Sequence, residues 1–351
     1  MQKTFKVAVV GATGAVGAQL LSILEERKFP VQELKLFASV RSLGRKIYFK
    51  DQKIKCSILE EGCFADIDLA FFDASDAVSK DWVPEALRAG AWAIDNSAIF
   101  RLDSGVSLVV PEVNGELLTE KYLAELAEKG RRLITGPNCS TVQLVVPLKV
   151  IRDNWGIRRV VVSTYQSASG AGTSAVTELR EQTEAVLNDK PFEVRSFSNR
   201  IAFNCIPHIG RFSEDGSTSE EKKIVDETRK ILSLPDLRIS ATAVRVPTLS
   251  CHAESINIEC ERPFDLDEVR LLLQRQAGVV VQDDPLKGLY PLGCSSGNVE
   301  AATGRDSVYV GRIRRDKSID NGLNLWAVSD NLRKGAALNA VQIGEIILRY
   351  I

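Results

Sequence analysis

The chain has 351 residues, 44% hydrophobic and 26% charged, a length that suggests two domains at about 150 residues each and a composition that excludes a disordered or collagen-like chain. Lys and Arg number 45 against 46 Asp and Glu, a net charge of −1, so no global field draws the protein to nucleic acid or anionic lipid, and a small molecule is the expected partner. No segment approaches the ~20 apolar residues of a membrane span, and the start of the chain lacks the apolar stretch and cleavage pattern of a secretory signal. Seven cysteines without a CxxC pair, and only two histidines, His208 and His252, argue for reduced thiols in a cytoplasm and against a zinc site; no metal is expected.

In chain order, residues 6–10 read as a strand, 15–27 as a helix and 33–38 as a second strand, a βαβ unit. Further strands fit 67–72, 91–94 and 108–110, with a helix over 82–89 ended by Gly90. This is a doubly wound α/β pattern. Beyond Cys139 the strands 158–165, 238–246 and 255–261 are separated by helices over 174–187, 220–232 and 267–277, which predicts an α+β domain on a largely antiparallel sheet. The polar stretch 188–200 reads as an excursion, and 332–350 as a last helix. The expected fold class is therefore α/β: a Rossmann-like dinucleotide-binding domain over 1–138, completed by the C-terminal helix 331–351, and an α+β substrate and dimerisation domain over 139–330.

Two turns carry chemistry. Gly11-Ala12-Thr13-Gly14-Ala15-Val16-Gly17 follows an apolar strand and opens a helix. Glycines there let backbone approach a pyrophosphate, which the helix N-terminus favours, so Gly11, Thr13, Gly14, Ala15 and Val16 are candidate cofactor contacts. NAD sites usually place an acid at the end of the next strand; here it ends in Phe37-Ala38-Ser39-Val40-Arg41-Ser42. A guanidinium with two hydroxyls seats a 2′-phosphate, so Ser39, Arg41 and Ser42 favour NADP. The second turn, Thr135-Gly136-Pro137-Asn138-Cys139-Ser140-Thr141, precedes the apolar run 142–150 and puts Cys139 at a helix start, where a thiolate is stabilised. Cys139 is the candidate nucleophile. The residues alone rank His208 and His252 equally as its acid/base partner.

These stretches, with Asp95-Asn96-Ser97, Phe100-Arg101, residues 109–114, Ser163 to Gln166, Ser169 to Gly172, Ile206 to Ile209, Arg245-Val246-Pro247 and Asn331 to Ala337, give a chain that resembles the aspartate-semialdehyde dehydrogenase family over nearly its whole length. The resemblance implies reductive dephosphorylation of L-4-aspartyl phosphate by NADPH to aspartate 4-semialdehyde and phosphate, on the route to lysine (through diaminopimelate), threonine and methionine, in a homodimer whose pairing into tetramers the sequence leaves open. By likeness, Cys139 forms the thioester, Gln166 holds the acyl group and His252 is the acid/base. Arg245 grips the substrate carboxylate, Glu220 the amino group, and Arg101, Asn138 and Lys223 the phosphate; Ser169, Gly170 and Asn331 join the cofactor contacts. A related acyl-phosphate reductase, or a cofactor-binding sensor on the same fold, is the alternative. Two departures stand out. Asp73-Ala74-Ser75-Asp76 replaces the family's usual Ser-Ala-Gly-Gly, placing two carboxylates that repel a pyrophosphate unless they point away or bind a cation, and Cys251 stands where a glycine usually precedes the histidine.

Overall fold

The structure, a computed structural model, describes residues 3–294 and 300–351. Its contacts divide into two units, one reaching Pro137 and including Ala336–Ile351, the other Asn138–Gly335.

The first unit holds β1 (Phe5–Val10), α1 (Ala15–Glu26), β2 (Val31–Phe37), β3 (Lys46–Phe49), β4 (Gln52–Ser57), β5 (Leu69–Phe72), α2 (Asp76–Arg88), β6 (Trp92–Asp95), β7 (Ser107–Leu108), α3 (Pro111–Asn114), α4 (Glu120–Glu128) and β8 (Leu133–Thr135). The strands form one sheet in the order β3-β4-β2-β1-β5-β6-β8-β7, parallel except for the β3–β4 hairpin. Period-two alternation along β1 feeds two cores. Val7 and Val9 pack with Leu20 and Leu24 of α1 and with Val341 and Ile343 near the C-terminus, whereas Ala8 and Val10 pack with Phe37, Phe64, Phe72 and Val83. Burial on both faces is why these strands read as continuous apolar runs. The strand order reverses on the two sides of β1, so the carboxyl ends of β1 and β5 flank a topological switch point, where open α/β sheets bind ligands.

The second unit holds α5 (Cys139–Trp155), β9 (Ile157–Gln166), α6 (Thr173–Leu187), α7 (Ser219–Leu232), β10 (Arg238–Arg245), β11 (His252–Cys260), α8 (Leu266–Arg275), β12 (Val279–Val281), β13 (Val308–Asp316) and β14 (Gly322–Ser329). Its sheet runs β10-β9-β11-β14-β13-β12. The three inner pairings are antiparallel, and the outer two, β10–β9 and β12–β13, are parallel. The sheet is therefore mixed. The chain then closes on α9 (Leu338–Ile347), in the first unit, whose Gly344 lies against Phe71, Phe29 and Leu69.

Several boundaries differ from the sequence expectation. The helix expected over 82–89 starts at Asp76, because Ser75 Oγ caps it by accepting from Val78 N (3.4 Å). The strand expected at 255 begins at His252, immediately after a left-handed residue, Cys251 (φ 67°). The strand expected over 108–110 is Ser107–Leu108, since Pro111 opens α3. The last helix, expected from 332, is wound as a π turn over Arg333–Ala337 before α9 begins.

Candidate active site

In the second unit, the strand register gathers the candidate residues at one end of neighbouring strands. Gln166 ends β9 and pairs with Arg245, which ends β10; His252 opens the antiparallel β11 opposite Ser329 at the end of β14.

Cys139 is the first residue of α5. Asn138 caps that helix, its Oδ1 accepting from Ser140 N (3.0 Å) and Thr141 N (3.3 Å), so the cysteine sits where the helix dipole favours negative charge. The cap is itself anchored: Asn138 N donates to Glu227 Oε2 (2.6 Å) and its Nδ2 to Glu220 Oε1 (2.9 Å). Gln166, buried, donates from Nε2 to Glu220 Oε1 (3.2 Å) and Thr164 Oγ1 (3.3 Å). Glu220 thus ties the cysteine turn to Gln166, and Lys223 Nζ lies 3.8 Å from its other oxygen. On the far side of the cysteine a Cβ on Gly335 would come 3.0 Å from Cys139 Cβ, so the backbone there approaches as only glycine allows.

The two histidines separate clearly. His208 stacks on Phe212 with ring centroids 4.3 Å apart. It lines a cavity of about 240 Å³ that Arg245 also borders. His252 is fully buried, and its Nδ1 accepts from Ser167 N (3.1 Å). An amide can only donate, so the ring proton resides on Nε2. Burial, then the charge of Arg245, push the imidazole down to about 3, which keeps it neutral. Arg245 is buried as well and donates from Nη1 to Ser167 O (2.6 Å). Its guanidinium pKa is lowered by burial against the opposing charges of Cys139 and Glu220, groups that must therefore lie close to it.

The loop before His252 uses residues that likeness assigned to the cofactor. Asn331 Oδ1 accepts from Ser169 Oγ (3.0 Å), Ser167 Oγ (3.3 Å) and Cys251 N (3.1 Å). These bonds hold Cys251 in the left-handed region, a conformation that costs a non-glycine residue about 1–2 kcal/mol and accounts for the family's glycine. Gly170 packs where a Cβ would come within 2.9 Å of His252 Nε2 and 3.0 Å of Arg245 Nη1. Gly170→Ala must therefore displace both side chains, and kcat is expected to fall about 10²-fold with little loss of thermal stability, a misplacement effect checked by steady-state kinetics beside a melting curve.

Sequence reasoning missed Ser167, Gly335 and Glu227. It also missed Glu254, two residues after His252 on the same buried face, whose carboxyl burial pushes up to about 8 and whose two oxygens have no hydrogen-bond partner among the described residues, and Gln143, one turn after Cys139. Gln143 Oε1 accepts from Ser329 Oγ (2.7 Å). No local motif marks these residues; only the pairing of α5 with the sheet brings them together.

In the first unit, the glycine turn has the form a dinucleotide needs. Gly11 has φ +89°, and a Cβ there would fall 2.1 Å from Asp73 O; one on Gly17 would fall 2.3 Å from Gly11 O. Gly14 caps α1 with no side-chain hydrogen bond, leaving the helix N-terminus, with Thr13, Ala15 and Val16, to an anion. Gly11 N and Ala12 N both donate to Phe37 O (2.9 and 3.1 Å), which fastens the end of β2, and with it Ser39, Arg41 and Ser42, to the turn. Ser39 and Arg41 are exposed and Ser42 half-buried. Arg101 is buried and donates from Nη2 to Asn96 O (2.6 Å). The two added carboxylates turn towards the segment after β6: Asp73 Oδ1 accepts from Asn96 Nδ2 (2.6 Å) and Asp76 Oδ1 from Ala98 N (2.8 Å). Among the described residues no cluster of three metal-ligating side chains occurs, and no helix is long and apolar enough to cross a membrane.

Comparison with known proteins agrees with this geometry. Residues 6–121 match the family model "Semialdehyde dehydrogenase, NAD binding domain", and residues 148–334 match "Semialdehyde dehydrogenase, dimerisation domain". The chain is 46% identical to the aspartate-semialdehyde dehydrogenase of Aquifex aeolicus over 98% of both chains. It is similar to the crystal structure of aspartate semialdehyde dehydrogenase II from Vibrio cholerae complexed with ASA (43% identity, TM-score 0.92, 99% of each chain). It also resembles the enzyme from Candida albicans solved with NADP (25% identity, TM-score 0.75, 99% of this chain and 100% of that one).

Proposed function

Because the chain belongs to the aspartate-semialdehyde dehydrogenase family, we propose that it reduces L-4-aspartyl phosphate to aspartate 4-semialdehyde and phosphate through a thioester on Cys139. It is an oxidoreductase acting on the aldehyde group, with a nucleotide-binding domain of semialdehyde dehydrogenase type. The observation that carries the reading is the meeting of Cys139, Gln166, Glu220, Arg245 and His252 around one end of neighbouring strands, a nucleophile with a neutral imidazole and two groups of opposite charge.

Cys139 sulfur attacks the acyl carbon; the carbon–sulfur bond forms as the carbon–oxygen bond to phosphate breaks. Arg245 receives the substrate α-carboxylate, for which its planar fork is suited, and Glu220 receives the amino group. Asn138 spends its Oδ1 on the helix cap and one amide hydrogen on Glu220, so it positions the cysteine, and Lys223 would supply charge for the phosphate, as would Arg101 by family likeness. The Gly11 to Val16 turn with Ser39, Arg41 and Ser42 would hold NADPH, which when bound would supply a hydride to the thioester carbon; the carbon–sulfur bond then breaks, releasing the aldehyde and returning the Cys139 sulfur. His252 presents Nε2–H, a donor for the acyl oxygen as charge develops there. The substrate carboxylate also offsets the Arg245 charge that holds the imidazole pKa down, so His252 becomes more basic once substrate is bound.

The match of residues 148–334 to a dimerisation domain supports a homodimer, and the proposed substrate places the enzyme in lysine, threonine and methionine biosynthesis. The test follows nicotinamide absorbance with aspartate semialdehyde, with and without phosphate, using NADP or NAD. Phosphate-dependent reduction of NADP is expected, and Arg41→Ala is expected to raise the KM for NADP about tenfold, the worth of a charge-assisted hydrogen bond, while leaving that for NAD nearly unchanged. Failure of both cofactors would overturn the substrate assignment.

A further inference from the structure

The switch point of the first unit contains a carboxyl group that the reaction does not use. Asp73 follows β5, and its N–H donates to Val10 O (2.9 Å) at the end of β1. Its carbonyl stands where a Cβ on Gly11 would be, 2.1 Å away, so residue 73 forms the wall of the glycine turn. Its Oδ1 is held by Asn96 Nδ2 (2.6 Å). Its Oδ2 is shut off from solvent and has no hydrogen-bond partner among the described residues.

Asn96 is held firmly in its turn. Its N–H donates to Phe72 O (3.0 Å), its carbonyl accepts from Arg101 Nη2 (2.6 Å), and its Oδ1 lies where a Cβ on Gly136 would come within 2.4 Å. The charged neighbours are few. Asp95 on β6 is buried and satisfied by Ser79 Oγ (2.8 Å) and Ser97 Oγ (2.6 Å). Asp76 on α2 is turned to Ala98 N, Arg101 lies beyond Asn96, and residues 11–17 carry no charge.

We propose that Asp73 is a positioning residue for the dinucleotide and that the cofactor binds the form in which Asp73 is neutral. The inference rests on the reading of the glycine turn as the NADP site. An ionised carboxylate in the wall of that turn repels a pyrophosphate, and a carboxylic acid does not. Burial already raises Asp73 to about 7, against the Asn96 hydrogen bond and with the help of Asp95, so the group is shared between both forms near neutrality. By linkage, binding at neutral pH takes up a proton, and the cofactor loosens as pH rises through that value. The Asn96 to Arg101 bond joins the same carboxyl to an arginine assigned to the substrate phosphate.

The test is NADPH binding, by nicotinamide fluorescence and by calorimetry in two buffers of different ionisation enthalpy, from pH 6 to 8.5. The wild-type Kd should rise roughly three- to tenfold more across this range than that of Asp73→Asn, and the wild type should take up more protons on binding than the variant does. The 2′-phosphate titrates in both proteins and drops out of the difference. Should Asp73→Asn fail to fold, Asp73→Ser, smaller and also neutral, takes its place. Equal pH profiles, or weaker binding by the neutral variant at pH 6, would overturn the inference while leaving the cofactor assignment intact. Folded protein that binds no NADPH at any pH would overturn the cofactor assignment itself.

Discussion

Cys139→Ala is expected to abolish turnover, a loss on the order of 10⁴-fold or more, as when the nucleophile of a covalent mechanism is removed. The fold should survive. The substitution deletes one sulfur atom at the first position of α5, leaves the Asn138 cap and its bonds to Ser140 and Thr141 intact, and adds nothing to the close contact with Gly335. Melting temperature and NADPH affinity should therefore match wild type while phosphate-dependent NADP reduction vanishes. Residual activity above a hundredth of wild type would mean that the sulfur is not the attacking atom.

His252→Gln is expected to lower kcat by roughly 10²–10⁴-fold, the usual worth of a positioned acid or base. Glutamine can keep an acceptor for Ser167 N, so the loop is retained while the donor to the reacting oxygen is lost. The pH dependence separates this role from a structural one. In the free enzyme the imidazole is held at about 3 by burial and by Arg245, so it stays neutral from pH 5 to 8, and kcat/KM should show no acid limb near 6.5 belonging to His252. Once the substrate carboxylate neutralises Arg245 the pKa climbs, and the acid limb of kcat should lie at higher pH than that of kcat/KM. Stability carries the same sign. The folded pKa is depressed below the unfolded value of about 6.5, so the contribution is present above that pH and is lost as pH falls from there towards 3. Urea midpoints at pH 5 and 7 should differ by more in the wild type than in His252→Gln.

Much of this was legible wherever function depends on contiguous residues. The turn from Gly11 to Gly17 and the stretch from Thr135 to Thr141 each combine a strand end, a steric requirement and a helix start within seven residues, so their backbone roles can be read locally. The substrate groups could not be ranked in that way. Glu220 and Lys223 have the spacing of an ordinary helix ion pair and do form one, and only the bonds from Asn138 and Gln166 to Glu220 distinguish it. His252 surpasses His208 through burial and the Ser167 amide, 85 residues away in sequence. The short edge strands β3 and β12 carry too few alternating positions to stand out from polar loops. Asp73 and Asp76 read as carboxylates facing a pyrophosphate; in the fold Asn96 and the Ala98 amide each hold one oxygen, and Asp73 Oδ2 stays buried without a hydrogen-bond partner among the described residues.

The choice among reductases of acyl phosphates rests on the substrate rather than the scaffold, since one architecture hosts several. Here Arg245 and Glu220 offer opposite charges on either side of Gln166, which suits an amino acid carrying both a free carboxylate and a free ammonium. An acylated amine would bring Glu220 no cation beyond Lys223.

The most direct test of the thioester is a single turnover without phosphate. Enzyme mixed with aspartate semialdehyde and NADP should release one NADPH per active site and stop, and proteolysis with mass spectrometry should find one aspartyl group on the peptide that contains Cys139, discharged when phosphate is added. A burst of NADPH with Cys139 unmodified, or an acyl group on any other side chain, would contradict the account.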